Sequence, residues 1–114
     1  VWARNRMGAD GRLDYDLLLF VANWPKPRRH AWRTLLRARA IENLSYCVGV
    51  NRVGTDGNNL TYAGDSAVLD FMGEPLIELG EQANVVVATL SGEKQQAWRE
   101  KFPTWMDADT FELG

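Results

Sequence analysis

Polar and aromatic side chains that directly follow two apolar runs are the first candidates for chemistry in this sequence. Asn23 and Trp24 come after the first run, and Asn51 and Arg52 come after the second. An indole can wall an apolar pocket, an amide can fix a ligand's amide or carboxylate, and a guanidinium can hold a carboxylate through two hydrogen bonds. We therefore take Asn23, Trp24 and Arg52 as candidate substrate-binding residues. The structural alternatives are a rigid packed loop and a surface arginine.

Nucleophiles and metal ligands are scarce, since the sequence holds one cysteine and one histidine. Cys47 lies inside the second apolar run, where a free cysteine packs as a small hydrophobic residue. A nucleophilic thiol would need a neighbouring base and some exposure. His30 stands far from any zinc-ligand spacing, and Gly64-Asp65-Ser66 lacks the spacing of a phosphate loop. We predict no metal site and no cofactor.

The elements that position the candidate residues form a strand, a helix and a strand. An apolar run at residues 17–22 stops at Trp24-Pro25, a helical pattern covers 28–44, and a second apolar run covers 46–50. This is the pattern of a βαβ unit with two parallel strands. Near-continuous apolar strands are typical of a sheet covered on both faces, and ligands bind outside the carboxyl ends of such strands.

Polar residues on the apolar side of the predicted helix offer a second candidate site. At about 100° per residue, Arg39, Glu42 and Asn43 project into the stripe that holds Trp32 and Leu35. Buried charges need partners, and Arg39 can pair with Glu42 one turn away. We expect both to be mostly buried and paired. The pair is either a structural ion pair or a polar cluster at a subunit contact or substrate pocket.

The rest of the chain is predicted from apolar runs and turn signals. Strands are expected at residues 67–71, 76–79 and 84–90, and a helix at 92–102 whose first turn Ser91 caps. Aromatic side chains near the end of the chain are expected to anchor it on the core or on a second subunit: these are Trp98, Phe102, Trp105 and Phe111. No linker or repeat divides the sequence, so we predict one α/β unit over residues 1–114.

Composition excludes several classes of partner. The 114 residues are 46% apolar and 25% charged, with a net charge of −2, which argues against a nucleic-acid partner held by bulk charge. No apolar run approaches the length of a membrane span, and no signal-peptide pattern opens the sequence. A single cysteine excludes an internal disulfide framework and fits a reducing compartment. We expect a cytoplasmic protein without a membrane partner.

Several short segments carry a resemblance to a known family: in order, they are VANWP, HAW followed by LLRARAIEN, NRVG, YAGDSAVLDFMGEPL and REKFPTWMDADTF. Together they resemble the nitrilase (carbon–nitrogen hydrolase) superfamily, and within it the omega-amidase branch. The likeness covers residues 1–111. Each segment alone is weak, but their order and spacing are specific.

The resemblance implies an α-β-β-α sandwich, of which residues 1–114 are the C-terminal part. It also implies amide or nitrile hydrolysis by a Glu-Lys-Cys triad. The family nucleophile lies in a C-Y-D-x-R-F-P segment, and the opening residues VWARNR resemble the helix that follows it. None of the triad residues has a counterpart here, so we assign no catalytic residue and expect the chain by itself to be inactive.

The substrate and the assembly also follow from the resemblance alone. The family branch hydrolyses small ω-amides of 2-oxo acids through a cysteine thioester, so a small-molecule amide is the expected ligand. Its members assemble through helices beside the active site, so we expect a homo-oligomer formed through the crossover helix. The alternative is a non-enzymatic interaction domain derived from the same fold.

Overall fold

The computed structural model describes residues 3–107 and confirms the βαβ unit. Strand β1 is Leu17–Ala22, helix α1 is Arg29–Asn43 and strand β2 is Tyr46–Asn51. β1 and β2 pair in parallel, from Leu17 opposite Tyr46 to Ala22 opposite Asn51. Leu44, with a φ of 51°, ends α1 in the left-handed conformation, which turns the chain sharply into β2.

Four further strands, a second α-helix and two short 3-10 helices, Lys26–Arg28 and Thr104–Asp107, complete the described structure. A hairpin stands apart from a four-stranded sheet of order β1-β2-β5-β6, in which β5 and β6 run antiparallel. Ser91 caps the second helix as predicted, because its Oγ accepts the Lys94 N–H. These elements are β3 (Val53–Thr55), β4 (Thr61–Ala63), β5 (Ala67–Leu69), β6 (Pro75–Glu78) and α2 (Gly92–Lys101).

The core lies between α1 and one face of the sheet. Trp32, Leu36 and Ala40 recur at helical spacing and pack on the small residues Cys47 and Gly49 of β2. Gly49 permits the close approach, since a Cβ there would stand 2.6 Å from a Leu36 methyl and 2.8 Å from the Trp32 ring. Burial of these side chains is the main stabilising term of the fold.

The opposite face of the sheet is apolar and only partly covered, since Tyr46 and Val68 on it are buried whereas the residues along β1 and at the end of β2 are exposed. Leu19 and Val21 of β1 are 58% and 78% exposed, and Val50 of β2 is 46% exposed. The chain therefore shows one helical layer on one sheet. In the sandwich that the resemblance implies, a second sheet would cover this face.

A buried polar cluster crosses the amino ends of β1 and β2. Asn5 donates from Nδ2 to the carbonyl of Tyr15 at 2.7 Å and to Ser45 Oγ at 3.1 Å, and its backbone N–H reaches Asn43 Oδ1 at 3.0 Å. From α2, Arg99 donates to the carbonyls of Leu44 and Tyr15. We call this set the amino-end cluster; its buried side chains are Asn5, Asn43, Ser45, Gln95 and Arg99.

The predicted strand at residues 84–90 is wrong. None of the described residues forms a ladder with this segment, and Val85 and Val87 are 93% and 91% exposed. Three consecutive valines fit a pleated surface, but a strand exists only when a second strand supplies its hydrogen bonds. The valine content indicated a preference for the extended conformation, but it could not show whether a partner strand was present.

The predicted burial of the ion pair on α1 is also wrong, although the pairing is confirmed. Arg39 donates to Glu42, but their side chains are 25% and 35% exposed, and Leu35 beside them is 41% exposed. The buried stripe of α1 runs through Trp32, Leu36, Ala40 and Asn43. The predicted burial of Trp32 and Asn43 is therefore confirmed. The helix is rotated relative to the prediction, because the small residues of β2 leave room for Trp32 and Leu36 to pack directly against that strand.

The aromatic side chains near the end partly confirm the predicted anchor on the core. Trp98 stacks on Phe71 with ring centroids 6.1 Å apart, and Phe102 stacks on Trp98 at 5.5 Å. Phe71 in turn meets Tyr46 of β2 edge-on. Phe111 lies outside the described residues. None of the helices within residues 3–107 combines the length and the apolar character that crossing a bilayer requires.

Candidate functional site

The carboxyl ends of β1 and β2 bring Trp24 and Asn51 together, as the parallel pairing predicts. Asn51 is the last residue of β2 and is 9% exposed. Its Oδ1 accepts the Trp24 N–H at 2.8 Å, and its Nδ2 donates to the Trp24 carbonyl at 3.1 Å. The loop after β1 is thus held by its backbone, which leaves the side chains of Asn23 and Trp24 available to face a ligand.

Trp24 is half-buried between a second indole and a cation. Its ring centroid lies 5.7 Å from that of Trp32, and the Arg28 guanidinium lies over the Trp24 ring, 4.9 Å from the centroid. Both contacts restrict the ring, the first by packing and the second by cation–π attraction. Pro25, which follows, fixes the backbone further.

A groove of about 440 Å³ opens beside Trp24 on the helix side of the sheet. Its walls are mostly apolar side chains, among them Phe20, Trp32 and Leu35, and Arg39 supplies one cation. A concave apolar surface with a few polar groups can enclose the aliphatic part of a small molecule. The sequence did not reveal this groove, because its walls come from β1 and from two turns of α1.

Arg52 lies apart from the other candidate residues. Its guanidinium stands over the Tyr62 ring at 4.8 Å from the centroid, and Nη2 donates to the Thr55 carbonyl at 3.5 Å. Tyr62 donates to Asp56 at 2.8 Å, so Arg52 belongs to the β3–β4 hairpin. It is exposed on that hairpin. Asn23 is likewise exposed at the end of β1.

A buried carboxylate fastens the neighbouring loop to α1. Asp65 accepts from Arg29 through both oxygens, at 2.7 and 3.1 Å, and Arg33 Nε lies 3.2 Å from Oδ2. The Trp32 Nε1–H donates to the Asp65 carbonyl at 2.9 Å. Asp65 has a φ of 55°, an uncommon conformation that its fixed side chain and carbonyl maintain.

Cys47 has the environment of a core residue rather than of a nucleophile. Its side chain is fully buried in β2 against α1, and burial raises the pKa of the thiol to about 11. At neutral pH the thiolate needed for attack is therefore almost absent. His30 is exposed on α1, where Nε2 lies 3.5 Å from Thr34 Oγ1. Residues 3–107 contain no group of three metal-ligating side chains.

Comparison with known proteins identifies relatives over most of the chain. The profile of the carbon–nitrogen hydrolase family matches residues 11–100. Omega-amidase YafV of Escherichia coli K12 is 50% identical over 99% of this chain and 42% of its own length. A 2-oxoglutaramate amidase of Bacillus subtilis is 35% identical over 81% of this chain and 35% of its own length.

A solved structure shows the same arrangement. XC1258 from Xanthomonas campestris, described as a CN-hydrolase superfamily protein with an arsenic adduct in the active site, is 56% identical to this chain. The two superpose with a TM-score of 0.94 over 99% of this chain and 43% of XC1258. The chain thus spans less than half the length of the relatives it matches.

Proposed function

Because the chain belongs to the carbon–nitrogen hydrolase family, we propose that it forms part of an amidase that hydrolyses small ω-amides of 2-oxo acids. The observation that carries the proposal is 50% identity to omega-amidase YafV over 99% of the chain. The similarity to a protein named 2-oxoglutaramate amidase supports a 2-oxo acid amide as the substrate.

The proposed reaction proceeds through a cysteine thioester. A thiolate attacks the amide carbonyl, a general acid protonates the nitrogen as the C–N bond breaks, and ammonia leaves. The same group then takes a proton from water, which attacks the thioester, releases the acid and frees the cysteine sulfur. Cys47 does not supply that thiolate, since it is buried and its pKa is raised to about 11. The 114 residues hold no other thiol, so in this proposal the nucleophile comes from elsewhere in the enzyme.

The chain's own contribution in this proposal is to bind and orient the substrate. The groove beside Trp24 accepts the aliphatic part of the amide, and Asn23 meets its amide or carboxylate group. Arg52 pairs with the carboxylate of the 2-oxo acid, for which its exposed guanidinium would have to leave the Tyr62 ring. Of the three residues, Trp24 has the best structural support.

Assembly and location complete the proposal. We propose that the enzyme forms a homo-oligomer through α1, on which Leu35 and Ile41 are 41% and 52% exposed. A cytoplasmic location fits the single free cysteine, Cys47. The complete coding region should yield a protein whose mass in solution is a multiple of its chain mass, and substitution by Glu of Ile41, which does not line the groove, should reduce that multiple.

The assay for the function uses 2-oxoglutaramate as substrate and released ammonia as readout. We expect the complete enzyme to turn over, its Cys47→Ser variant to keep most of that activity, and the 114-residue chain alone to be inactive. A folded complete enzyme that releases no ammonia from this or other small amides would favour the non-enzymatic interaction domain. Loss of turnover in a folded Cys47→Ser variant would instead place the nucleophile at Cys47.

A further inference from the structure

The side chain of Asn51 makes three hydrogen bonds to two neighbouring segments. Oδ1 accepts from the Trp24 N–H, and Nδ2 donates to the carbonyls of Trp24, at 3.1 Å, and of Gly64, at 2.9 Å. The amide therefore pairs with both backbone groups of Trp24 as a neighbouring strand would. The backbone of Trp24 requires a donor and an acceptor at the same time, and only a carboxamide of this length provides both.

The backbone of Asn51 is itself fixed by a second contact. Its N–H donates to Ser66 Oγ at 2.9 Å, and the same hydroxyl donates to the Asn51 carbonyl at 3.2 Å. Ser66 follows Asp65, which Arg29 and Arg33 hold against α1. We call Trp24, Asn51, Gly64 and Ser66 the carboxyl-end cluster. It connects α1 and the start of β5 to the loop after β1.

We propose that Asn51 is a positioning residue of the candidate site, which sets the place of Asn23 and Trp24 against the substrate without touching it. This inference rests on the proposed amidase function. It distinguishes the last residue of β2 from the residue after it: the buried Asn51 holds the loop that walls the groove, whereas Arg52 contacts the β3–β4 hairpin. Loss of the amide would let the Trp24 ring leave its place between Trp32 and Arg28.

The test compares Asn51 with a matched amide at the other end of the same sheet. Asn43 is also buried, at 5% exposed, and its side chain bonds the backbone of Asn5 and Arg39 but does not itself line the groove. In the complete enzyme, Asn51→Ala should lower kcat/KM for 2-oxoglutaramate between about 10- and 100-fold, mostly through KM, because the pocket wall is displaced. Asn43→Ala should leave kcat/KM of the folded enzyme within about twofold.

Two further measurements keep the test decisive. Asn51→Asp preserves volume and the acceptor for Trp24 N–H but sets a carboxylate against the carbonyls of Trp24 and Gly64, so its KM should rise as in Asn51→Ala. Exchange of the Trp24 amide hydrogen, followed by NMR, should speed up at least tenfold in both Asn51 variants and stay unchanged in Asn43→Ala.

The outcomes separate the inference from the function on which it rests. An active wild-type enzyme whose Asn51 variants keep the wild-type KM and kcat would overturn the role of Asn51 alone. Equal kinetic losses in the Asn51 and Asn43 variants would show a general structural effect and would also overturn it. A folded wild-type enzyme without amidase activity would overturn the proposed function, and with it any role of Asn51 in catalysis.

Discussion

Both ends of the β1–β2 pair carry buried amides. The two sets of contacts differ in whether they leave a neighbouring side chain free to contact a ligand. In the amino-end cluster, Asn5 bonds to Asn43, to Ser45 and to both backbone groups of Tyr15, and Arg99 of α2 bonds to Ser45. These side chains join distant segments, and none of them lines the groove beside Trp24. In the carboxyl-end cluster, Asn51 bonds to the backbone of Trp24, whose indole stays half-exposed at a groove.

The difference separates two uses of a buried polar group. A set of side chains that satisfy one another joins distant segments, and its removal costs stability. An amide that hydrogen-bonds the backbone of a loop holds that loop in place. The side chains of the loop then remain free to contact a ligand. We therefore expect changes at the amino end to appear in the free energy of unfolding, and changes at the carboxyl end to appear in substrate binding as well.

The largest expected effect is at Arg99. Arg99→Ala removes donors to the carbonyls of Leu44 and Tyr15 and to Ser45 Oγ, all at a site where the guanidinium is 7% exposed. The loss of these bonds should reduce the free energy of unfolding by about 3 kcal/mol, because hydrogen bonds from a buried charged donor are worth more than neutral ones. The carbonyls of Tyr15 and Leu44 keep their second donors, Asn5 and Gln95, which limits the loss. Denaturant unfolding measures the loss.

Arg37→Ala is the matched control for Arg99. Arg37 pairs with Glu78 where both side chains are more than a third exposed, at 37% and 50%. Its removal should cost about 0–1 kcal/mol. Equal losses in the two variants would contradict the account of the amino-end cluster, as would a lowered affinity for substrate in a folded Arg99→Ala enzyme.

The sequence predicted local elements well and non-local contacts poorly, and residue 51 shows why. The apolar runs and the helical period located β1, α1 and β2 because each pattern lies within a few neighbouring residues. Asn51 was visible as a strand end, but its partners Trp24 and Gly64 lie 27 and 13 residues away. The segment at 84–90 was assigned as a strand on valine content, and no local pattern could show that its described neighbours do not pair with it.

A second expected effect concerns the packing that joins the two ends. Gly49→Ala places a Cβ within 3 Å of both Leu36 and Trp32, so these side chains, or α1 with them, must shift. The overpacking should cost about 1–3 kcal/mol of unfolding free energy. Because α1 carries Trp32 at one end and Asn43 at the other, this variant should disturb both clusters. It should therefore affect both the free energy of unfolding and substrate binding.

Gly57→Ala controls for the loss of a glycine, since nothing lies within 4 Å of a Cβ there. We expect a change of less than about 0.5 kcal/mol for it. Thermal unfolding of both variants checks the pair. A Gly49→Ala protein as stable as Gly57→Ala would mean that α1 does not press on β2 as described.

A smaller effect is expected at Asp65, beside the carboxyl-end cluster. Asp65→Asn retains an acceptor and tolerates the φ of 55°, but it loses the charge that Arg29 and Arg33 share. The partners are 31% and 51% exposed, so water can replace part of the interaction. We expect a loss of about 1.5 kcal/mol. Asp65→Ala should lose more, because alanine resists the left-handed conformation; the reverse order would contradict the strain at this residue.

The smallest effect is expected for Arg39 and Glu42, which lie on α1 between the two ends. Their side chains pair but are 25% and 35% exposed, so water and salt screen the attraction. A double-mutant cycle on Arg39→Ala and Glu42→Ala should give a coupling energy of about 0.5 kcal/mol that declines with added salt. A coupling of about 3 kcal/mol would require a buried pair. Such a pair would mean that the proposed subunit contact through α1 extends over Arg39 and Glu42, beyond the exposed apolar residues of this helix.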